Sequence, residues 1–189
     1  YIIGTIDGNT YIANIDGHII NVLHGFRTSC ILVVPTDESI IIADHLKRLI
    51  LWNSKNLDNT CLWQADDVIT GLTLCPDNQH IIFSIKGKSF NLFSLRYLSV
   101  VRTFVGFKNR ASPMKCSFMP GEHSKIFATG CENGDIFYWH LNKFEPVKVV
   151  EGNTKAPVGS VSWCPTDPKI LASISGDNII NIWRSKCEK

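Results

Sequence analysis

The residues whose types could support chemistry are the acidic pair Asp66-Asp67 and the histidines. Adjacent carboxylates can transfer protons or hold a cation when other groups converge on the same point. No second acidic cluster supports this pair, so we expect both side chains to face solvent. The histidines share no spacing typical of metal ligands; they are His18, His24, His45, His80, His123 and His140. The sequence therefore predicts no catalytic residue and no metal site.

Seven cysteines are the other potential nucleophiles or ligands. They include no Cys-x-x-Cys pair, and no serine or cysteine has a partnered base that the sequence can place beside it. Cys75 and Cys164 each precede a proline, which marks a position in a repeat. We expect reduced structural thiols, as in a cytosolic or nuclear protein. Glycines within 4–8 and 130–134 fit hairpin turns and not a phosphate-binding loop, so no cofactor is expected.

Composition excludes several classes of partner. The apolar fraction is 44%, the charged fraction is 19% and the net charge is +2, so no bulk charge attracts nucleic acid or a membrane. No apolar run approaches the roughly 18 residues that span a bilayer, and no signal-like segment opens the chain. No Asn-x-Ser/Thr acceptor occurs. We expect protein partners, no membrane or nucleic-acid partner, and a cytoplasmic location that extends to the nucleus.

Short apolar runs are the elements that must position any functional side chain. Residues 157–184 contain three of them, Val158–Trp163, Ile170–Ile174 and Ile179–Trp183. Each run is rich in β-branched residues and is bounded by Pro, Gly, Asp or Asn, which favours a strand over a helix. The same arrangement recurs in three upstream stretches, which are residues 27–53, 68–94 and 113–140.

The repeat has a period in the low forties. The aromatic residue that closes its third run recurs at intervals of 41, 46 and 44 residues, at Trp52, Phe93, Trp139 and Trp183. Several short strands within such a period are the signature of a β-propeller blade of the WD type. The predicted fold is therefore all-β, with about 40 residues in each four-stranded blade.

We predict a partial ring of three complete and two partial blades. The blades span approximately residues 1–25, 26–66, 67–106, 107–152 and 153–189. With strands a to d named from the ring centre outward, strand a is missing from the first blade and strand d from the fifth. Because the chain starts inside a repeat, we expect it to be the C-terminal part of a longer ring.

The chain resembles the WD-repeat family along essentially its whole length. That family places Gly-His before strand a, an Asp in the b–c turn and Trp-Asp at the end of strand c. Gly25, Gly106 and Gly152 keep the glycine, whereas Phe26, Phe107 and Asn153 replace the histidine. In the first and third blades Ala13 and Phe93 replace the tryptophan.

The polar network of the family is largely absent. In the family it links the His, the Asp, a strand-b Ser or Thr and the Trp of one blade. Only the fifth blade approaches it, through Ser173, Asp177 and Trp183. A complete buried network would rigidify its blade. We therefore expect the other blades to depend on apolar packing.

A narrower resemblance is to the WD-repeat subunit of the CTLH ubiquitin-ligase complex, called the GID complex in yeast. The segments that carry it are residues 11–53, RTFVGF, KIFATGCENGDIFYWH and VGSVSWCPTDPKILASISGDNIINIW. The Gly-Phe in place of Gly-His and the missing tryptophans match that subfamily. The resemblance implies a scaffold that recruits substrates or joins ligase modules. Members assemble through LisH and CTLH helices before the propeller, which are not in this sequence.

The candidate binding site consists of loops on the rim of the predicted channel, because function in a propeller resides in its d–a and b–c connections. The candidate protein-binding residues are Phe26, Arg27, Lys86, Lys88, Phe107, Lys108, Arg110 and Lys155. We hypothesise that the five cations from Lys86 onward form one basic patch that binds an acidic or degron-bearing partner. The alternative is that they are solvated turn residues without a partner.

Three functions are open at this point. The first is a non-catalytic scaffold of a CTLH/GID-type ubiquitin ligase. The second is a WD-repeat adaptor of a chromatin or RNA-processing complex. The third, a propeller enzyme, is disfavoured because the sequence lacks a convergent set of acid, base or metal-binding residues.

Overall fold

The computed structural model describes residues 1–5, 7–36, 39–53, 58–106, 115–152 and 155–185. Within them the chain forms 18 strands in five antiparallel sheets. Three sheets have four strands, and the first and last along the chain have three. The predicted all-β fold, a partial ring of three complete and two partial blades, is confirmed in this part of the chain.

Each sheet consists of consecutive strands, so the order in space follows the order in sequence. The first sheet contains β1 (Ile2–Gly4), β2 (Asn9–Ala13) and β3 (Ile19–His24). The second contains β4 (Thr28–Val34), β5 (Ser39–Asp44), β6 (Arg48–Trp52) and β7 (Asn59–Gln64). The third contains β8 (Ile69–Leu74), β9 (His80–Ile85), β10 (Phe90–Ser94) and β11 (Ser99–Phe104). The fourth contains β12 (Cys116–Phe118), β13 (Ile126–Gly130), β14 (Ile136–His140) and β15 (Lys148–Val150). The fifth contains β16 (Val158–Trp163), β17 (Ile170–Ser175) and β18 (Ile180–Arg184).

Strand boundaries differ from the predicted ones mainly at turns. The last strand begins at Ile180 and not at Ile179, because Asn178 adopts a left-handed conformation with φ of 65°. In that turn the Ile179 amide donates to Asp177 Oδ1 at 3.2 Å. The first strand of the fourth sheet ends at Phe118, and the 3₁₀ turn Gly121–His123 follows it. Local turn chemistry therefore ends the apolar runs.

The sheets stack side by side through their first strands. Strand β4 contacts β8, β8 contacts β12, and β12 contacts β16. In the first sheet, which lacks strand a, β1 contacts β4. This repeated placement of innermost strands around one axis is the arrangement of propeller blades.

Apolar side chains fill the spaces between neighbouring sheets. The described residues form four buried clusters, and each takes its members from two successive sheets. Strands β5 and β10 are buried at every position because a sheet covers each of their faces. This burial on both sides explains why the apolar runs are continuous and do not alternate with polar residues.

The closing aromatic residues are stabilised in different ways in different sheets. Trp183 Nε1 donates to Ser173 Oγ at 2.8 Å in the fifth sheet, as the sequence indicated. Trp139 Nε1 makes the corresponding bond to Thr129 Oγ1 at 3.0 Å, so the prediction that only the fifth blade approaches this network is wrong. In the third sheet Phe93 packs against another ring, that of Phe83, with centroids 6.4 Å apart.

The second sheet has the tryptophan without its acceptor. Trp52 Nε1 is buried and has no hydrogen-bond partner among the described residues. The strand register shows why. Trp139 pairs with Phe127 and Trp52 pairs with Ile40, so Ile42 occupies the position that Thr129 occupies in the fourth sheet. An isoleucine offers no oxygen to the indole.

A glycine allows the fourth and fifth sheets to approach closely. A Cβ added at Gly130 would lie 2.2 Å from the Val158 carbonyl oxygen and 2.5 Å from Val158 Cγ1. The Val158 amide also donates to the Cys131 carbonyl oxygen at 2.9 Å, which links the two sheets directly. Because the blocking atom belongs to the backbone, a side chain at Gly130 would force the sheets apart.

We expect Gly130→Ala to lower the free energy of unfolding by about 1–3 kcal/mol, the usual cost of overpacking, as measured by urea unfolding. The matched control is Gly159→Ala, whose Cβ would meet nothing within 4 Å. Equal stability of the two variants would contradict the close approach of the sheets.

Thr129→Val keeps the side-chain shape but leaves Trp139 Nε1 buried and unpaired. We expect a loss of about 1–3 kcal/mol in the free energy of unfolding.

The reverse change is Ile42→Thr, which places a hydroxyl near Trp52 Nε1. Ile42→Thr should lower the free energy of unfolding less than Ile41→Thr does. Both isoleucines are equally buried, but only Ile42 occupies the position of the acceptor. Equal costs for the two threonine variants would contradict this account.

Candidate protein-binding rim

The predicted rim is formed by the turns between the second and third strands of each sheet and by the connections between sheets. Backbone hydrogen bonds join these two kinds of loop. His45 N donates to Arg27 O, and Lys86 N donates to Val68 O, both at 2.9 Å. In the fifth sheet Gly176 N donates to Pro157 O at 2.9 Å. The loops are therefore held against the ends of the strands, which gives their exposed side chains a defined position.

Asp66 joins two of these loops. It lies between the second and third sheets, where its carboxylate pairs with Lys88 and its carbonyl oxygen accepts a hydrogen bond from Lys47 Nζ at 2.9 Å. The hydrogen bond from Lys88 holds the pKa of Asp66 below its usual value. Asp67 Oδ1 accepts a hydrogen bond from the Val68 amide at 2.7 Å. The acidic pair thus organises the rim, and each carboxylate has its own partner.

Three predicted cations remain exposed at the rim. They are Arg27, Lys86 and Lys155, which belong to the loops of the second, third and fifth sheets respectively. Lys88 is also exposed, but Asp66 compensates its charge. The positive charge of the predicted basic patch, in the part of the chain that the structure describes, therefore comes mainly from Lys86 and Lys155, and Arg27, a predicted binding residue outside that patch, adds a further exposed cation. Phe107, Lys108 and Arg110 lie outside the described residues.

Phe26 is buried, with 8% of its surface exposed, although we predicted it as a partner-binding residue. Its ring packs edge-on against Trp52 with centroids 5.5 Å apart, and the Arg48 guanidinium carbon lies 5.6 Å from its centroid. Phe26 belongs to the apolar cluster between the first and second sheets. The structure therefore places it behind the rim, where it supports Arg48.

An ion pair with a buried carboxylate, which the sequence analysis missed, lies beneath this part of the rim. The Asp44 carboxylate is 1% exposed and accepts hydrogen bonds from Arg48 Nε at 2.8 Å and Arg48 Nη2 at 2.6 Å. It also accepts one from the Arg48 amide at 2.9 Å. The two residues flank one turn. The sequence signal that could have predicted the pair was an acidic and a basic residue four positions apart across a predicted hairpin. Such a pair fixes the turn that presents Lys47.

The cysteines differ in burial and therefore in reactivity. Burial raises the pKa of Cys30 to about 11 and that of Cys116 to about 12, and it also raises the pKa of Cys75. A hydrogen bond from Thr166 lowers the pKa of Cys164. Cys61 is exposed. The thiolate is the reactive form, so the buried thiols are protected.

A groove of about 700 Å³ lies between the fourth and fifth sheets. Its lining is apolar and aromatic, with cations at the margin; it includes Met119, Tyr138, Trp163, Leu171, Trp183, Lys148, Lys169 and Arg184. Trp163 Nε1 is buried beside it and has no hydrogen-bond partner among the described residues. Among the described residues that line the groove, apolar and aromatic side chains offer a contact surface.

Two features of the described residues bear on metal binding and on membrane insertion. No group of three or more His, Cys, Asp or Glu side chains among them could hold a metal ion. Among the same residues, no helix is long and apolar enough to cross a membrane.

Comparisons with known proteins agree with the arrangement of the strands. The family model described as "WD domain, G-beta repeat" matches residues 144–184. That span contains β15 to β18, so one sequence repeat contributes the outer strand of the fourth sheet and the three strands of the fifth. The sequence repeat is thus offset by one strand from the structural blade.

Longer matches cover most of the chain. It is 26% identical to the "WD repeat-containing protein 26 homolog" of Drosophila melanogaster over 98% of this chain and 29% of that protein. It is 27% identical to the "WD repeat-containing protein WDS homolog" of Arabidopsis thaliana over 89% of this chain and 32% of that protein. The human "Denticleless protein homolog" is 29% identical over 61% of this chain and 15% of that protein.

The similarity to these relatives and to the family model supports the prediction that the chain contains WD repeats. The chain spans about a third or less of the length of the relatives it matches, at 29%, 32% and 15%.

The cysteine environments predict selective alkylation of the folded protein. Brief treatment with iodoacetamide should modify Cys61 and Cys164 first. Cys75 and Cys116 should react at least about tenfold more slowly, because burial disfavours the reactive thiolate form. Peptide mass spectrometry would measure the extent at each position. In denaturant all should react alike. Rapid labelling of Cys75 or Cys116 in the folded chain would contradict their burial.

Proposed function

We propose that this chain is a non-catalytic interaction scaffold that acts as a substrate-recruiting or assembly subunit of a CTLH/GID-type ubiquitin ligase, in the cytoplasm and also in the nucleus. The observation that carries the scaffold role is the row of stacked blades whose loops are fixed at the strand ends and present Arg27, Lys86 and Lys155 to solvent. WD-repeat proteins are generally non-catalytic scaffolds.

Two features support the ligase assignment. Four sequence segments resemble the WD-repeat subunit of the CTLH complex. The match to the Drosophila melanogaster "WD repeat-containing protein 26 homolog" covers 98% of the chain. The residues that would bind an acidic or degron-bearing partner are Lys86, Lys88 and Lys155, together with Arg27. Assembly through LisH and CTLH helices would require a longer protein that contains them.

A WD-repeat adaptor of a chromatin or RNA-processing complex is the second candidate. Its supporting observation is general, because blades with basic rim loops suit many protein partners. Co-purification separates the two candidates. Recovery of a RING subunit and CTLH-domain proteins with the chain supports the ligase role. Recovery of histone-modifying or spliceosomal proteins instead would favour the adaptor.

The rim itself is tested by charge reversal. We expect Lys86→Glu, Lys88→Glu and Lys155→Glu in one variant to weaken binding of the co-purified acidic partner about tenfold or more, because each change replaces attraction with repulsion. Titration by calorimetry or interferometry at two salt concentrations would measure it, since screening should reduce the difference.

The matched control reverses Lys125 and Lys143, which are also exposed but lie in turns at the opposite ends of the strands. Unchanged binding of the rim variant, or an equal loss in the control, would contradict the basic patch.

A further inference from the structure

Among the described residues, strand β11 forms an open outer edge of the third sheet. It is the last strand of that sheet, so one side of it has no neighbouring strand. A hydrogen bond from the Val105 amide to the Phe144 carbonyl oxygen, at 2.8 Å, connects the end of this edge to the fourth sheet. Phe144 lies in the connection between β14 and β15. The third and fourth sheets each have a neighbouring sheet on both sides, so this edge is a feature of the inner blades.

Arg102 on β11 points toward the fourth sheet beside this edge. It pairs with Leu92, which belongs to the apolar cluster between the third and fourth sheets, so both side chains lie on the face turned toward the fourth sheet. The Arg102 guanidinium carbon lies 4.6 Å from the centroid of the Phe144 ring. Its Nε and Nη1 atoms are buried and have no hydrogen-bond partner among the described residues. Donors of a cation are therefore unpaired beside an aromatic ring.

The second sheet contains the same arrangement with one more component. Arg48 lies 5.6 Å from the Phe26 ring, and its guanidinium donates two hydrogen bonds to the Asp44 carboxylate. None of the ion pairs among the described residues includes Arg102. Glu145, in the adjacent connection, is exposed and is not paired with Arg102. Compared with the second sheet, the component that Arg102 lacks is a carboxylate.

The unpaired guanidinium is costly for the free chain. A buried donor without an acceptor has lost its hydrogen bonds to water, and the cost is larger for a charged group. A ring that lies against the cation recovers part of that energy. A carboxylate bound to Arg102 would recover more, because hydrogen bonds between charged groups are about twice as strong as those between neutral groups. The structure therefore favours a ligand that supplies a carboxylate.

The surroundings of Arg102 are apolar and exposed. The side chains of Phe144, Val105 and Val149 are 60%, 49% and 45% exposed. Val149 pairs with Phe137, which packs toward the third sheet, so Val149 faces the same gap as Arg102. We define the perimeter cleft by Arg102, Val105, Phe144 and Val149. One positive group flanked by apolar side chains is complementary to an acidic residue beside an apolar residue.

The edge also offers a backbone donor. The Val105 amide points away from β10, since it reaches Phe144. Amides alternate in direction along a strand, so the Thr103 amide points to the same open side. An extended segment that lies along β11 can accept a hydrogen bond from this amide, as when a peptide adds a strand to a sheet. The occupant that fits this edge is therefore extended and not helical.

We propose that the perimeter cleft binds a short extended segment of a partner protein, in which an aspartate or glutamate pairs with Arg102 and a neighbouring apolar side chain packs against Phe144 and Val149. The carboxylate takes the role that Asp44 has beside Arg48. The Phe144 ring turns aside to uncover the guanidinium, which its exposed position in a connection allows. Because the cleft is formed by outer strands and not by the rim lysines, this binding goes beyond the proposed rim function and does not depend on it.

Selection from a library of random dodecapeptides displayed on phage tests the proposal. The bait is the full chain with Lys86→Glu, Lys88→Glu and Lys155→Glu, so that peptides that bind the basic rim are not selected. We expect the enriched peptides to contain an aspartate or glutamate next to an apolar residue. Their affinity, measured by fluorescence anisotropy, should fall about tenfold or more with Arg102→Gln. Replacing the peptide's acidic residue by its amide should have the same effect.

Combining the two changes tests the pairing itself. If Arg102 binds the carboxylate, Arg102→Gln together with the amide peptide should weaken binding no more than either change alone. Arg96→Gln is the matched control. Arg96 also lies near a ring, 5.5 Å from that of Tyr97, but it is exposed, so binding should be unchanged. In the free chain, Arg102→Met should leave the midpoint of urea unfolding unchanged or raise it, because it removes unpaired donors.

Four results would overturn the proposal. The first is a selection that enriches no acidic peptides, and the second is equal affinity of the enriched peptides for Arg102→Gln. The third is additive losses when the two changes are combined. The fourth is a lower urea midpoint for Arg102→Met, which would show that the free chain already supplies a partner. Circular dichroism checks that each variant is folded, and Arg102→Met replaces Arg102→Gln in the binding assay if that variant is not.

Discussion

The packing of one sheet's apolar face against the next is the interaction on which the structure depends. Each cluster of buried side chains among the described residues takes its members from two neighbouring sheets, so the core of this part of the chain lies between the blades. A short antiparallel sheet has two faces, and exposing either one leaves apolar area in water at about 25 cal/mol for each Å². The inner strands β5 and β10 therefore carry buried side chains on both sides. Gly130 shows how closely this packing is fitted, since the neighbouring backbone occupies the space of a single methyl group.

The closing position of each blade shows that packing can replace a polar network. The fourth and fifth sheets bind the indole nitrogen with Thr129 and Ser173, which satisfies a donor that would otherwise be buried unpaired. The third sheet removes the donor altogether and places Phe93 against Phe83. The second keeps Trp52 without an acceptor among the described residues, and a charged pair, Asp44 and Arg48, lies beneath Phe26 in the same sheet. One backbone arrangement therefore tolerates several side-chain solutions, provided that the volume between the sheets is filled.

The same constraint separates the framework of packed sheets from the rim loops that we propose bind partners. Because sheet packing fixes the strand ends, the rim loops can vary in sequence and still present their side chains in a fixed place. Asp66 illustrates this, since it belongs to a connection between sheets and holds lysines from the turns of two blades. A carboxylate that could have been part of a catalytic pair instead orients cations.

The sequence by itself determined the class of fold, the number of repeats and nearly all the strands, because apolar runs bounded by turn residues need only local information. It also indicated the Trp183–Ser173 bond, whose members lie within one repeat. It could not separate Phe26 from an exposed rim residue, since its burial depends on Trp52 and Arg48 in other strands. It likewise could not show that Asp66 compensates the positive charge of Lys88. Those features were decided only by the tertiary structure, because they depend on which strands from distant parts of the chain lie side by side.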